Sequence, residues 1–191
     1  MEKIADIIVQ NIMEIRHVEH EQKEILKFGI QIVMEMGINL IVRIGIMLIL
    51  HKVPEGIFFY LVFIPVRIYS GGYHSNTYLG CFLLSTITFI FVLVTCQKWH
   101  LPRGYSIWCI VVLTSLIWKI RPVINESRPV STEEYKSFVS KLKVVLIVIV
   151  MVAVVLEINH NNIYLNIMIS GLLLTAITLI MGKVKYRQYK T

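Results

Sequence analysis

His74 and Cys81 stand seven residues apart, in and just after the polar stretch Arg67-Ile68-Tyr69-Ser70-Gly71-Gly72-Tyr73-His74, with strongly apolar runs on either side. An imidazole and a thiol are the base and the nucleophile of cysteine acyl-transfer chemistry: the base takes the thiol proton and the thiolate attacks a carbonyl. In one continuous helix a separation of seven residues is about 10.5 Å of rise. That exceeds the roughly 2.6–3.2 Å of a nucleophile–base hydrogen bond. Gly71 and Gly72 permit the fold-back that would close the gap, because glycine adopts backbone angles closed to other residues. Ser75, Asn76 and Thr77 are good N-cap residues, and a helix starting there puts Cys81 in its first turn or two. The positive end of a helix dipole favours a thiolate at such a position. Spacing alone leaves a second reading equally open, in which His74 is a loop histidine and Cys81 a packed or lipid-facing thiol.

The other two cysteines, Cys96 and Cys109, fall near the end of one apolar run and within the next, where free cysteine is commonly a packing residue. No His/Cys/Asp/Glu cluster has the spacing of a zinc site. Neither a metal nor a cofactor is expected.

The scaffold that must position this pair is apolar. The chain has 191 residues, 56% of them hydrophobic and 16% charged, where soluble domains carry about a quarter charged residues; its mean hydropathy is +0.69. A helix crosses the hydrocarbon layer with about 20 residues, within a range of roughly 17–25. Residues 28–50, 79–97, 104–120, 142–158 and 163–182 meet that length, and none resembles a cleavable signal peptide. A further run, 57–66, is shorter and contains Pro65, which removes a backbone donor and kinks or ends helices.

Charge asymmetry decides whether that run crosses. If it does, and the N-terminus is cytoplasmic, only Lys52, Lys98 and Arg103 of the 19 basic residues face outward, with Arg43 inside a span. The positive-inside bias therefore selects six spans with both termini cytoplasmic, and puts the His74/Cys81 loop at the cytoplasmic face. The net charge of +7 fits attraction to anionic inner-leaflet lipid. No basic stripe interleaved with stacking aromatics suggests nucleic-acid binding.

The expected fold is thus all-α: a polytopic transmembrane bundle of about six spans, its second span kinked or broken, forming a single domain over 1–191. Residues 1–28 suit an amphipathic or solvated cytoplasmic helix, and 121–141 a cytoplasmic loop. Ser131-Thr132-Glu133-Glu134 reads as a helix start, with hydroxyls ahead of carboxylates. Glu35, Asn39 and Arg43, four residues apart, form a polar stripe that must face protein rather than lipid. That stripe is either a seam between helices or the source of a carboxylate, Glu35, that orients the imidazole. The active loop itself offers none: Asp6 is the only aspartate, and no carboxylate lies between Glu55 and Glu126.

Arg67, Gly71, Gly72, His74 and Cys81 at these intervals resemble the accessory gene regulator B family of bacterial quorum-sensing proteins. Arg121-Pro122-Val123 and Arg128-Pro129-Val130, followed by Glu133-Glu134, are similar to its downstream proline-containing segment. The resemblance implies a membrane-embedded cysteine endopeptidase with Cys81 as nucleophile and His74 as general base. Arg67, Gly71 and Gly72 would support them. Its partner would be an AgrD-like signal pro-peptide, cleaved through a thioester and cyclised to a thiolactone or lactone, and the enzyme would be a homodimer in membrane lipid. Arg67 retains three roles: holding an acidic precursor tail, polarising an oxyanion, or snorkelling at the membrane boundary. Two other classes compete, a small transporter subunit that uses the Glu35/Arg43 seam and a non-catalytic membrane scaffold.

Overall fold

The structure, a computed structural model, describes residues 20–72, 78–98, 101–102, 104–120 and 132–187. The N-terminal amphipathic segment before residue 20, the capping candidates Ser75, Asn76 and Thr77, and the Arg-Pro segment 121–130 lie outside them. Six helices make up the described residues: α1 His20–Ile49, α2 Val53–Ser70, α3 Tyr78–Thr95, α4 Tyr105–Ile120, α5 Thr132–Ile158 and α6 Asn162–Arg187. The chain divides into two compact units, Met1–Ile49 and Leu50–Thr191.

In the first unit, Glu35, Asn39 and Arg43 share one face of α1 by their four-residue spacing. The Asn39 amide donates to the backbone oxygen of Glu35 at 2.8 Å.

In the second unit, three helices are long and apolar enough to cross a membrane: Val53–Ser70, Thr132–Ile158 and, within α6, Asn162–Val184. Shorter apolar stretches occupy Phe82–Thr95 of α3 and Tyr105–Ile120 of α4. This is an all-helical membrane protein. The run whose crossing composition left open is one helix, and Pro65 sits inside it without ending it. The start expected at 131–134 coincides with the first turn of α5, where Glu133 and Glu134 face the positive end of the helix dipole.

Buried positions recur at intervals of three and four, so that one stripe of each helix is covered. They are Phe59, Val62 and Val66 on α2, Ile110, Thr114 and Ile117 on α4, and Leu142, Leu146, Ile149 and Ala153 on α5. Helix α6 contributes Leu165, Met168, Leu172, Ala176 and Leu179 and packs against α2, α4 and α5. Outward positions are also apolar, as at Val144, Ile147, Val148, Met151 and Val155 of α5. Such a surface suits hydrocarbon rather than water.

Side-chain contacts fix the directions of the helices. Phe59 and Val62 lie beside Gly171 and Arg67 bonds Thr178, so α2 and α6 run parallel. Lys52, at the start of α2, bonds Leu93 at the end of α3. Gly104, before α4, bonds Glu157 at the end of α5, and Tyr69 at the end of α2 meets Phe138 at the start of α5. The five helices therefore alternate in direction. The end of α2, the start of α5 and the last turns of α6 share one end of the bundle with Arg67, Lys119, Lys136, Lys141 and Lys183; Lys52 and Lys98 lie at the other.

Helix α3 is anchored through its C-terminal half. The last carbonyls of a helix lack intrahelical donors, and here other elements supply them. Lys52 Nζ donates to Leu93 O at 2.6 Å, and Asn166 Nδ2, on α6, donates to Cys96 O at 2.9 Å. Phe89 is buried against the rings of Phe59 and Tyr60, with centroids 5.6 and 5.0 Å away. Among the described side chains of 79–88, none is buried.

Candidate active site at the diglycine turn

Helix α2 ends at Ser70, and Gly71 stops it by entering φ 68°, ψ −142°, while its N–H still donates to Arg67 O at 3.0 Å. Positive φ is the reason for glycine here. The helix end leaves carbonyls to be satisfied, and Arg67 folds back to do so: Nη1 donates to Gly71 O at 2.7 Å. The same nitrogen donates to Thr178 Oγ1 on α6 at 2.9 Å. The Thr178 hydroxyl in turn donates to Thr175 O at 3.0 Å, which leaves its oxygen lone pairs for the guanidinium.

Gly72 is buried and has φ 128°. A Cβ there would fall onto Nη1 of Arg67, 3.0 Å from Cζ and 3.2 Å from the backbone oxygen of Thr178. The arginine side chain could swing aside, but only by leaving both acceptors, and the backbone angle would still exclude a side chain. Ser70 is completely buried beneath the turn. Beside it, Tyr69 lies 6.3 Å from the ring of Phe138, and Lys141 Nζ is 5.9 Å from the Tyr69 centroid, within range of a cation–π attraction. Two cations thus border the turn.

The structure brings together Arg67, Gly71 and Gly72. Cys81 belongs to the first turn of α3, nine residues after Gly72 in the chain; its side chain and the whole of His74 lie outside the described residues. Glu35 is on α1, in the other unit. Cys96 is buried, its thiol 3.2 Å from Leu93 O, and Cys109 is half-buried within α4, as packing thiols are. Thr178 carried no signal in the sequence, being one hydroxyl in an apolar run 111 residues from Arg67.

Comparison with known proteins gives one family. The model of Accessory gene regulator B matches residues 1–179. An AgrB-like protein of Halalkalibacterium halodurans is 24% identical over 181 residues, covering 94% of this chain and 89% of that protein. AgrB-like protein 2 of Clostridium perfringens strain 13 is 24% identical over 171 residues, covering 85% and 80%. No solved structure matches the chain.

Proposed function

Because the chain belongs to the accessory gene regulator B family, with a role in quorum-sensing peptide processing, we propose that it is a cysteine endopeptidase acting on an AgrD-like pro-peptide. Cys81 is the nucleophile and His74 the general base. The imidazole takes the thiol proton, and the sulfur attacks a peptide carbonyl in the C-terminal part of the pro-peptide. The C–N bond breaks, the tail amine leaves with the proton from the imidazolium, and the upstream fragment stays on Cys81 as a thioester. An internal Cys or Ser of the pro-peptide then attacks that thioester, loses its proton to His74, closes a thiolactone or lactone ring and frees Cys81. A site recessed in the membrane, poor in water, favours ring closure over hydrolysis.

The observation that carries this reading is the turn at Gly71–Gly72. An arginine and two glycines are held in one hydrogen-bonded turn two residues before His74, at the end of the bundle where α3, which carries Cys81 in its first turn, begins. Positive φ that glycine holds without strain, packed under a guanidinium bonded to a second helix, makes the fixed support that a reacting pair on the following residues needs. The chain crosses the membrane six times with both termini in the cytoplasm, so the basic end of the bundle and its turn face inward.

The test is co-expression of wild type, Cys81→Ala, Cys81→Ser and His74→Ala with the pro-peptide, with cleavage followed by gel and mass spectrometry. Cleavage is expected from wild type alone, with every variant present in the membrane. Cleavage by Cys81→Ala would rule out a cysteine peptidase, and transport without cleavage would favour a transporter.

A further inference from the structure

We propose that Thr178 is a positioning residue for peptide cleavage. Its hydroxyl holds the Arg67 guanidinium over Gly72, and so holds the turn that precedes His74 and Cys81 in the chain. The proposal rests on the Cys81/His74 reading.

Arginine is long and flexible, and one hydrogen bond does not set its geometry. Of the two acceptors of Nη1, Gly71 O belongs to the turn itself. A bond from Arg67 to Gly71 closes a local ring, but it ties that ring to nothing else. Thr178 Oγ1 belongs to the central helix α6, where Thr175, Ala176 and Leu179 around it are buried. The hydroxyl is itself oriented, because its proton goes to Thr175 O. The backbone oxygen of Thr178 also approaches Gly72, 3.2 Å from the place a Cβ would take. One residue of α6 therefore meets the turn through its side chain and its backbone, and only the side-chain bond can be removed by substitution.

The position predicts a pattern that packing alone would not give. Valine has the shape of threonine without its acceptor, and serine keeps the acceptor without the methyl group. If the hydroxyl matters, serine works and valine fails. If shape matters, the order reverses.

The experiment uses the full chain in liposomes with synthetic pro-peptide. It measures kcat and KM, together with the rate at which iodoacetamide alkylates Cys81 at pH 7 and at pH 10, the site mapped by mass spectrometry. Thr178→Val is expected to lower kcat about tenfold, as the loss of a hydrogen bond to a charged group does, with KM within about twofold. Alkylation of Cys81 is expected to slow at pH 7 and not at pH 10, since the thiolate would form less readily without a placed imidazole. Thr178→Ser should keep about half the wild-type kcat or more. In an Arg67→Gln background, Thr178→Val should add nothing further.

Wild-type kcat in Thr178→Val, equal losses in Thr178→Val and Thr178→Ser, or additive losses with Arg67→Gln would overturn the assignment. Should Thr178→Val not insert, Thr178→Ala against Thr178→Ser decides in the same way. Inactive Cys81→Ala and His74→Ala controls distinguish failure of this assignment from failure of the peptidase reading. Active controls would remove both.

Discussion

The guanidinium of Arg67 occupies the space that a side chain on Gly72 would need. The two residues therefore set each other's identity: the arginine requires a neighbour without a Cβ, and the glycine's position is defined by the arginine that covers it. This pairing turns the end of α2 into a fixed corner rather than a loose connection.

Gly72→Ala should abolish most pro-peptide cleavage. The alanine would have to hold φ 128°, at a cost of about 1–3 kcal/mol, and would displace Arg67 from both acceptors. Gly171→Ala is the control. A Cβ there meets Phe59 and Val62 at ordinary contact distances of 3.8–3.9 Å, and activity should stay within about twofold of wild type. Cleavage rates normalised to inserted protein make the comparison; equal rates in the two variants would contradict it.

Arg67→Lys separates a clamp from a membrane anchor. A lysine snorkels as well as an arginine, so a boundary role predicts near-normal activity. The two bonds of Nη1 to Gly71 and Thr178 use the reach and planarity of the guanidinium, which lysine lacks. We expect Arg67→Lys to lose about tenfold in kcat with unchanged insertion.

Lys52→Met should loosen α3 at the end remote from Cys81. It removes the donor to Leu93 O, and the expected loss is about 1–2 kcal/mol of stability. Thermal unfolding in detergent would register it as a lower midpoint, while the insertion level stays unchanged.

Leu172→Ala should destabilise the bundle by about 2 kcal/mol or more, since it opens a cavity at a fully buried position of α6. The adjacent Leu173, 48% exposed, faces outward, and Leu173→Ala should change stability by less than about 0.5 kcal/mol. Denaturation in mixed micelles would rank the pair.

The helices were legible because membrane spans announce themselves by length of apolarity, and the first turn of α5 by its hydroxyl–carboxylate order. Helix ends were less so. Helix α5 begins ten residues before its apolar run, since Glu133, Lys136 and Lys141 are good helix formers whatever their polarity. Pro65 marked the second span from the sequence, and the helix runs through it, because a helix tolerates one missing donor when neighbours pack along it. The diglycine turn could be marked from composition, but its lock could not. Thr178 is joined to Arg67 only by the fold, as Lys52 is to Leu93 and Asn166 to Cys96, and no local pattern encodes a partner on another helix.

The most direct test of the account is the covalent intermediate. Purified protein in liposomes would be mixed with pro-peptide whose internal Cys or Ser is replaced by Ala, and quenched in acid. Intact mass and peptide mapping would then locate any adduct. The account predicts the upstream fragment attached to Cys81 as a hydroxylamine-labile thioester, absent from Cys81→Ala and greatly reduced in His74→Ala. An adduct on any other residue, or continued cleavage by Cys81→Ala with no adduct, would contradict it.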